Sequence, residues 1–320
     1  MKIVYFDNDF LFSENPEKEF AATIGFFDGV HRGHRFLIEQ LKTIASNSGL
    51  PSAVITFPAH PRKVLQSDYQ PQLLNNFNEK LFQLSTTGID YCFVLDFTKE
   101  LSELTAEKFI REKLRKNFHV KELLIGYDHR FGKGRANDFN DYKRYGEICG
   151  MNVTQAAQLE ETGFHISSTS VRHLLSEGNV QKASLILSYN YTLEGLVISG
   201  NQMGRKMGFP TANLQIMEPY KVIPSSGIYA TWVHLDNQIY RGMTYIGDRP
   251  TIVSNGEQRI ETHILDFVGY IYGKNLKLEF IEYIRNDMKF DTLEKLKFQL
   301  QEDEDLTRKI LEKSNLEIKY

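Results

Sequence analysis

Two cysteines and one tryptophan are all that 320 residues contain of either type. Cys92 and Cys149 stand far apart with no CxxC, so the sequence offers no disulfide framework and no thiolate metal cluster. Cys92 lies in the strand-like run YCFVLDF and reads as a small apolar core residue. A basic excess is missing too: 38 Lys and Arg against 41 Asp and Glu leave a formal charge of −3. That balance argues against a general nucleic-acid or membrane-surface binder and leaves small molecules as the expected partners. No stretch approaches the roughly 20 apolar residues that cross a bilayer. MKIVYFDNDF lacks the basic segment and apolar core of a secretion signal, so the expected setting is the cytoplasm. A Walker A is absent as well, since no glycine-bearing loop runs into GKS or GKT.

The length suits two domains, each able to bury its own core. Apolar runs AATIGFF, SAVITF, YCFVLDF and KELLIGYD alternate with helix-period stretches such as HRFLIEQLKTIASNSG and TAEKFIREKLRKNF. Alternation of that kind predicts a parallel sheet with crossover helices. The spacing predicts a helix over 35–46 that stops at Gly49-Leu50-Pro51, and another from Ser167-Ser168-Thr169 to Leu187 with Gly178 as a break point. A boundary then falls between Ser188 and Thr192, giving domains 1–187 and 188–320. Beyond it, IYATWVHL, QIYRGMTYIG, RIETHILDF and LKLEFIEYI, separated by turn residues, predict a small antiparallel barrel or sandwich. Leu293, Leu296, Leu300 and Leu306, with Phe298, mark a C-terminal helix whose EDED run is expected on a solvated face.

Chemistry concentrates in three stretches of the first half. In GFFDGVHRGH, Gly25, Asp28, His31, Gly33 and His34 lie between a strand and a helix, at the edge where open α/β sheets bind ligands. A helix start offers unpaired N–H groups and a positive dipole end to an anion, and histidines there can hydrogen-bond phosphate oxygens. Taken alone, HxxH is as readily a capped helix with surface histidines, and no third ligand is spaced to complete a metal site. GYDHRFGKGR brings Asp128, Arg130 and Arg135 to the same edge. ISSTSVR opens a helix with Ser167, Ser168 and Thr169 and sets Arg172 one turn in. Together the three stretches suit a triphosphate.

In that order TIGFFDGVHRGH, TFPAHPR, LLIGYDHRFGKGR and ISSTSVR resemble the adenylyltransferase module of the bacterial bifunctional riboflavin kinase/FAD synthetases, within the HxGH nucleotidyltransferases. GNQMGRKMGFPTANL, SSGIYA, TYIGDRPT, RIETHILDF and IYGK resemble the riboflavin kinase module of the same family. The resemblance spans the chain. It implies an α/β protein, a Rossmann-like nucleotidyltransferase domain followed by an antiparallel β-barrel kinase domain with a C-terminal helix. It implies that riboflavin and ATP give FMN, and that FMN and a second ATP give FAD and pyrophosphate, with Mg²⁺.

The resemblance also assigns residues. His31 and His34 steady ATP phosphates, Arg172 with Ser167, Ser168 and Thr169 forms a gripping loop, and Gly25, Gly33, Asp128 and Arg135 line the nucleotide side. Asp28 shapes the turn. In the second module Gly204, Arg205, Gly208, Pro210, Thr211 and Asn213 make the kinase loop, with Thr211 and Asn213 on Mg²⁺ and phosphate. Glu261 is the general base, and His263 is structural. Phe290 and Arg285 fall on the flavin side, although Arg285 is also able to reach a phosphate or only to pair with a C-terminal acid. Phe26, Pro58-Ala59, His129 and Ser170 depart from the usual family residues, all in the first module. Two other readings are a first module serving a nicotinamide or pantetheine nucleotide, and a flavin-binding regulator without turnover.

Overall fold

The computed structural model describes residues 1–6, 18–159, 165–200, 204, 207–248 and 258–317. The chain forms two compact units, Met1–Ile166 and Ser167–Tyr320.

The first unit holds six strands, β1 (Lys2–Phe6), β2 (Phe20–Ile24), β3 (Ser52–Thr56), β4 (Tyr91–Leu95), β5 (Val120–Ile125) and β6 (Asn152–Gln155), ordered β1-β4-β3-β2-β5-β6. All five pairings are parallel. The central strands FAATI and SAVIT are buried at every position, which is why they appear in the sequence as unbroken apolar runs rather than alternating ones. Both faces are covered. Phe20, Phe93 and Phe118 pack on one side, while Ile38, Leu41, Val54 and Leu84 pack on the other beneath helix α1 (Arg32–Ser48). The edge strands KIVYF and NVTQ were missed by the pattern reading because edges need little apolar surface. The helix expected over 35–46 starts earlier, capped by His31, and ends where expected at Gly49, whose N–H reaches Ala45 and Ser46 carbonyls. TAEKFIREKLRKNF forms a short helix, Ala106–Lys108, that continues as a π-helical stretch over Phe109–Asn117.

The second unit opens with two helices, Ser168–Ser176 and Val180–Leu187, broken at Gly178 as the sequence suggested. They belong to this unit: the Ser225 N–H donates to the Leu175 carbonyl at 3.0 Å, and Gly178 lies against Tyr283. Compactness therefore divides the chain before this helical pair, where the sequence reading divided it after. Strands β7 (Thr192–Ile198), β8 (Thr211–Ile216), β9 (Gly227–Leu235), β10 (Gln238–Asp248), β11 (Gln258–Ile264) and β12 (Asn275–Arg285) close into an antiparallel barrel, order β10-β11-β8-β7-β12-β9. Inside it the buried hydroxyls of Thr231, Thr244 and Thr262 form a chain, 2.8 and 2.9 Å per link.

The C-terminal helix Leu293–Glu317 corrects one expectation. The EDED run is solvated only at Glu302 and Asp305: Asp303 is 2% exposed and pairs with Arg285, and Glu304, half-buried, pairs with Arg308. Leu293, Phe298 and Leu306, expected to mark the helix by their apolarity, are exposed, while Thr307 and Leu311 are buried.

Candidate functional site

Strand order explains where the first site forms. From β2 the chain proceeds outward to β3 and β4, then returns to place β5 on the other side of β2. The carboxyl ends of β2 and β5 flank this reversal, the usual ligand crevice of an open α/β sheet. GFFDGVHRGH follows β2 and GYDHRFGKGR follows β5.

The turn after β2 is tight: Phe27, Gly29 and Val30 have φ of 55°, 79° and 37°. Asp28 is buried within it and accepts hydrogen bonds from the backbone of Leu74 at 3.0 and 3.2 Å and of Asn75 at 3.3 Å. Its role in shaping the turn is thus exercised across chain segments. His31 caps α1, its Nδ1 accepting from the His34 N–H at 3.4 Å, which leaves the proton of a neutral ring on Nε2. The two imidazoles stack with centroids 3.7 Å apart and planes 17° from parallel. Gly33 permits this, since a β-carbon there would lie 3.2 Å from the His31 ring. Burial first, then the charges of His31, His129 and Lys80, hold the His34 imidazole well below its ordinary pKa. Its Nδ1 is buried without a hydrogen-bond partner.

The loop after β5 is anchored behind: the Tyr142 hydroxyl bonds the N–H and carbonyl of Phe131, each at 3.0 Å, with the rings stacked at 4.3 Å. Asp128, Arg130 and Arg135 are exposed. His129 is pushed down to about 4, mainly by burial and then by Arg135, with Asp128 opposing. His129 and His34 lie close enough to repel as cations.

One member of this site was missed by sequence reasoning. Lys80 is 3% exposed; its ammonium donates to the carbonyls of Phe57 at 2.7 Å and Phe26 at 3.1 Å and sits 4.0 Å over the Phe26 ring. Burial lowers it to about 8, with Asp28 opposing. Phe26, one of the family departures, is therefore part of the lysine's cage. In its helix Lys80 shares the buried face with Leu81 and Leu84, so the signal was a lysine on an apolar stripe.

In the second unit Ser167 caps its helix, accepting from the Ser170 N–H at 3.1 Å, and the two hydroxyls lie 2.9 Å apart. Ser170, where the family often has arginine, thus joins the cap. Thr169 is exposed, while Ser168 and Arg172 are half-buried.

The barrel site lies on β8, β10 and β11. The Gly204 carbonyl accepts from Met207 and Phe209 at 3.0 and 2.9 Å, and Gly208 turns through φ 90° before Pro210 leads into β8. Arg205 lies outside the described residues. Register aligns Asn213 with Glu261 and Glu261 with Tyr245, and sets Thr211 opposite His263. The Thr211 hydroxyl lies 3.4 Å from Glu261 Oε2, while Arg259 pairs with Oε1. Gly200 backs the Asn213 amide so closely that a β-carbon would overlap it. Tyr245 donates to Asp287 at 2.9 Å and is pushed up to about 12 by burial and then by that bond. Arg285 pairs with a C-terminal acid, the last of its expected roles, forking onto Asp303 at 2.9, 3.1 and 2.6 Å, and its guanidinium stands 6.0 Å from the Phe290 ring. Arg259 and Tyr245 were not singled out from sequence; strand alternation with Glu261 and cross-strand register are what bring them in.

A family model described as FAD synthetase matches residues 13–170, and one described as riboflavin kinase matches residues 187–311. A relative from Escherichia coli (strain K12) is 37% identical over 91% of this chain and 93% of its own. One from Listeria monocytogenes serovar 1/2a is 35% identical over 96% and 98%. Both are named bifunctional riboflavin kinase/FMN adenylyltransferase. A crystal structure described as a macrolide-efflux protein from Streptococcus pneumoniae matches at TM-score 0.86 and 31% identity, covering 96% of this chain and 99% of that one. Among the described residues no helix is long and apolar enough to cross a membrane.

Proposed function

The chain belongs to the family of bifunctional riboflavin kinase/FMN adenylyltransferases, and from that premise we propose how its residues divide the work. It phosphorylates riboflavin to FMN and adenylylates FMN to FAD, with ATP as the second substrate in both steps. On our reading the barrel module performs the first step and the parallel-sheet module the second, in the cytoplasm and on small-molecule substrates.

In the first step the ribityl 5′-hydroxyl attacks the γ-phosphorus of ATP, Glu261 takes its proton, and ADP leaves. One observation carries this assignment: β8 and β11 set a hydroxyl, an amide and a carboxylate side by side, with Thr211 3.4 Å from Glu261 and Asn213 in register with it. The Thr211 hydroxyl and the Asn213 amide oxygen fit Mg²⁺, a hard cation that keeps several waters. Asn213 is held for that purpose against Gly200. When bound, the ion supplies neutralisation of the phosphate charge. The loop from Gly204 through Gly208 and Pro210, with Arg205, completes the phosphate side. Arg259, paired with the other carboxylate oxygen, fixes which oxygen of Glu261 faces Thr211. Phe290 borders the flavin, and Arg285 supports it from its pair with Asp303.

In the second step an oxygen of the FMN phosphate attacks the α-phosphorus of another ATP and the bond to the bridging oxygen breaks, releasing pyrophosphate. The nucleophile is already ionised near neutral pH, so the site needs donors and positioning rather than a base. His31, through Nε2–H, and His34 donate to phosphate oxygens. The helix start at Gly33 and the turn at Gly25 allow close approach. Asp128 and Arg135 border the nucleotide.

The test is a chromatographic assay of the purified chain with Mg²⁺ and ATP, given riboflavin in one tube and FMN in the other. FMN then FAD from the first tube and FAD from the second are expected. FMN alone would mean that the departures at Phe26, Pro58 and Ser170 have cost the first module its activity. Flavin binding without any product would favour the regulator.

A further inference from the structure

We propose that His263 is a positioning residue for phosphoryl transfer, clamped between the kinase loop and the C-terminal helix: its Nδ1–H holds the Pro210 carbonyl, and the Glu304 carboxylate faces its Nε2. The inference rests on the reading of Thr211, Asn213 and Glu261 as the kinase site and extends it to a residue that touches none of the reacting groups.

His263 Nδ1 lies 2.8 Å from the Pro210 carbonyl oxygen. A carbonyl only accepts, so Nδ1 carries the proton. The ring is 8% exposed and meets the edge of Phe209, centroids 5.4 Å apart. Proline has no N–H and a fixed φ, so its carbonyl is the handle by which the Pro210–Thr211 peptide can be aimed. Thr211 follows at once and is the cross-strand partner of His263. The histidine thus reaches one residue along the facing strand and fixes the peptide that sets where the Thr211 hydroxyl points. Without that bond the Pro210 carbonyl loses the donor that aims it, and the loop loses its register with Glu261.

On the far side Glu304 Oε2 stands 4.0 Å from His263 Nε2. Glu304 is itself held, its Oε1 accepting from Arg308 Nε at 3.1 Å and Nη2 at 2.7 Å. Arg308 also forks onto Asp266 at 2.7 and 2.8 Å, and Asp266 takes a further bond from Arg241 at 3.0 Å. The clamp therefore runs from strand β10 through the C-terminal helix to the kinase loop, and it gives Glu304 a reason to turn inward from an acidic run whose Glu302 and Asp305 stay in solvent.

The experiment compares the full chain with His263→Asn, His263→Gln, His263→Leu and Glu304→Ala, reading kcat and KM for ATP in FMN formation, FAD formation from supplied FMN, and thermal midpoints. Asparagine places an amide N–H where Nδ1–H stands; glutamine places it near Nε2, and leucine has none. His263→Leu is expected to lower kcat for FMN formation by about 100-fold, the scale of a 1 Å misplacement. His263→Asn should recover at least tenfold of that, His263→Gln much less, and Glu304→Ala should fall between wild type and leucine. FAD formation should change less than twofold throughout. Equal kcat for the asparagine and glutamine variants overturns the proposal, as does a leucine variant within twofold of wild type. If leucine does not fold, the asparagine and glutamine pair decides alone. Glu261→Gln separates the two readings: retained FMN formation there removes the kinase-site assignment itself, whereas its loss beside unaffected His263 variants removes only the clamp.

Discussion

The two catalytic regions handle charge in opposite ways. Beside the sheet, cationic groups are buried and their charged forms disfavoured: His34, His129 and Lys80 are all shifted downward, each chiefly by burial, although Lys80, at about 8, keeps its ammonium near neutral pH. In the barrel, charged groups are matched with partners: Glu261 with Arg259, Arg285 with Asp303, Arg308 with Asp266 and Glu304. The difference follows from the reactions. Adenylyl transfer brings its own ionised nucleophile and a triphosphate, so donors held in a desolvated turn gain most when the anion arrives. Phosphoryl transfer to an alcohol needs a carboxylate in a set place, and ion pairs supply the scaffold.

The sharpest test of this contrast is Glu261→Gln, which removes the proposed base while keeping shape and hydrogen bonding. FMN formation from riboflavin should fall by roughly 10²–10⁴, the range of general-base contributions, with FAD formation from supplied FMN near wild type. Equal damage to both activities would end the division of labour. Next in size is His34→Ala: FAD formation should fall by roughly 10²–10³, as for loss of an oxyanion donor, with FMN formation unchanged. A variant with full FAD turnover would return the HxGH turn to a capping role.

The residues proposed for the two sites can be singled out from sequence because their motifs are local: HRGH, GFPTAN and ETHILDF each gather polar and titratable side chains within one turn or one strand. The fold was legible where strands are buried on both faces and read as apolar runs. Edge strands β1 and β6 were not, because an edge needs no such run, and Lys80 was not, because a lysine is ordinarily read as solvated whatever stripe it lies on. The inward-facing Asp303 and Glu304 escaped for a related reason. Their partners, Arg285 and Arg308 with His263 beyond, lie on other elements or a helical turn away, and a run of acids shows nothing of which member turns inward.

Those inward acids give the third prediction. Arg285→Leu leaves Asp303, 2% exposed, without its guanidinium, at a cost of about 3 kcal/mol. The unfolding midpoint of the second unit should drop by roughly 6–12 °C, seen by calorimetry, with the first unit's transition unmoved. The double variant Arg285→Leu with Asp303→Leu should recover much of the loss, since a buried pair replaced whole is nearly neutral. A double variant worse than the single would mean that the pair contributes net stability, and the barrel would then use ion pairs for more than scaffold geometry.

The smallest effect probes the sheet side. His129 is held down to about 4 from the ordinary 6.5. As pH falls through 6.5 the unfolded chain takes up a proton that the folded chain refuses until about pH 4, so stability is complete above 6.5 and is lost progressively down to about 4. His129→Phe, which restores the aromatic common at this position in the family, removes that site from the balance. Its melting midpoint should decline less steeply than wild type between pH 6.5 and 4.5, a slope remaining because His34 is shifted the same way. FAD formation at pH 7 should stay within about threefold, since an already neutral ring is replaced by another neutral ring of similar packing. Parallel stability curves would show that His129 protonates freely in the fold. The downward shift would then be confined to His34 and Lys80, and the contrast between the regions would rest on those two groups alone.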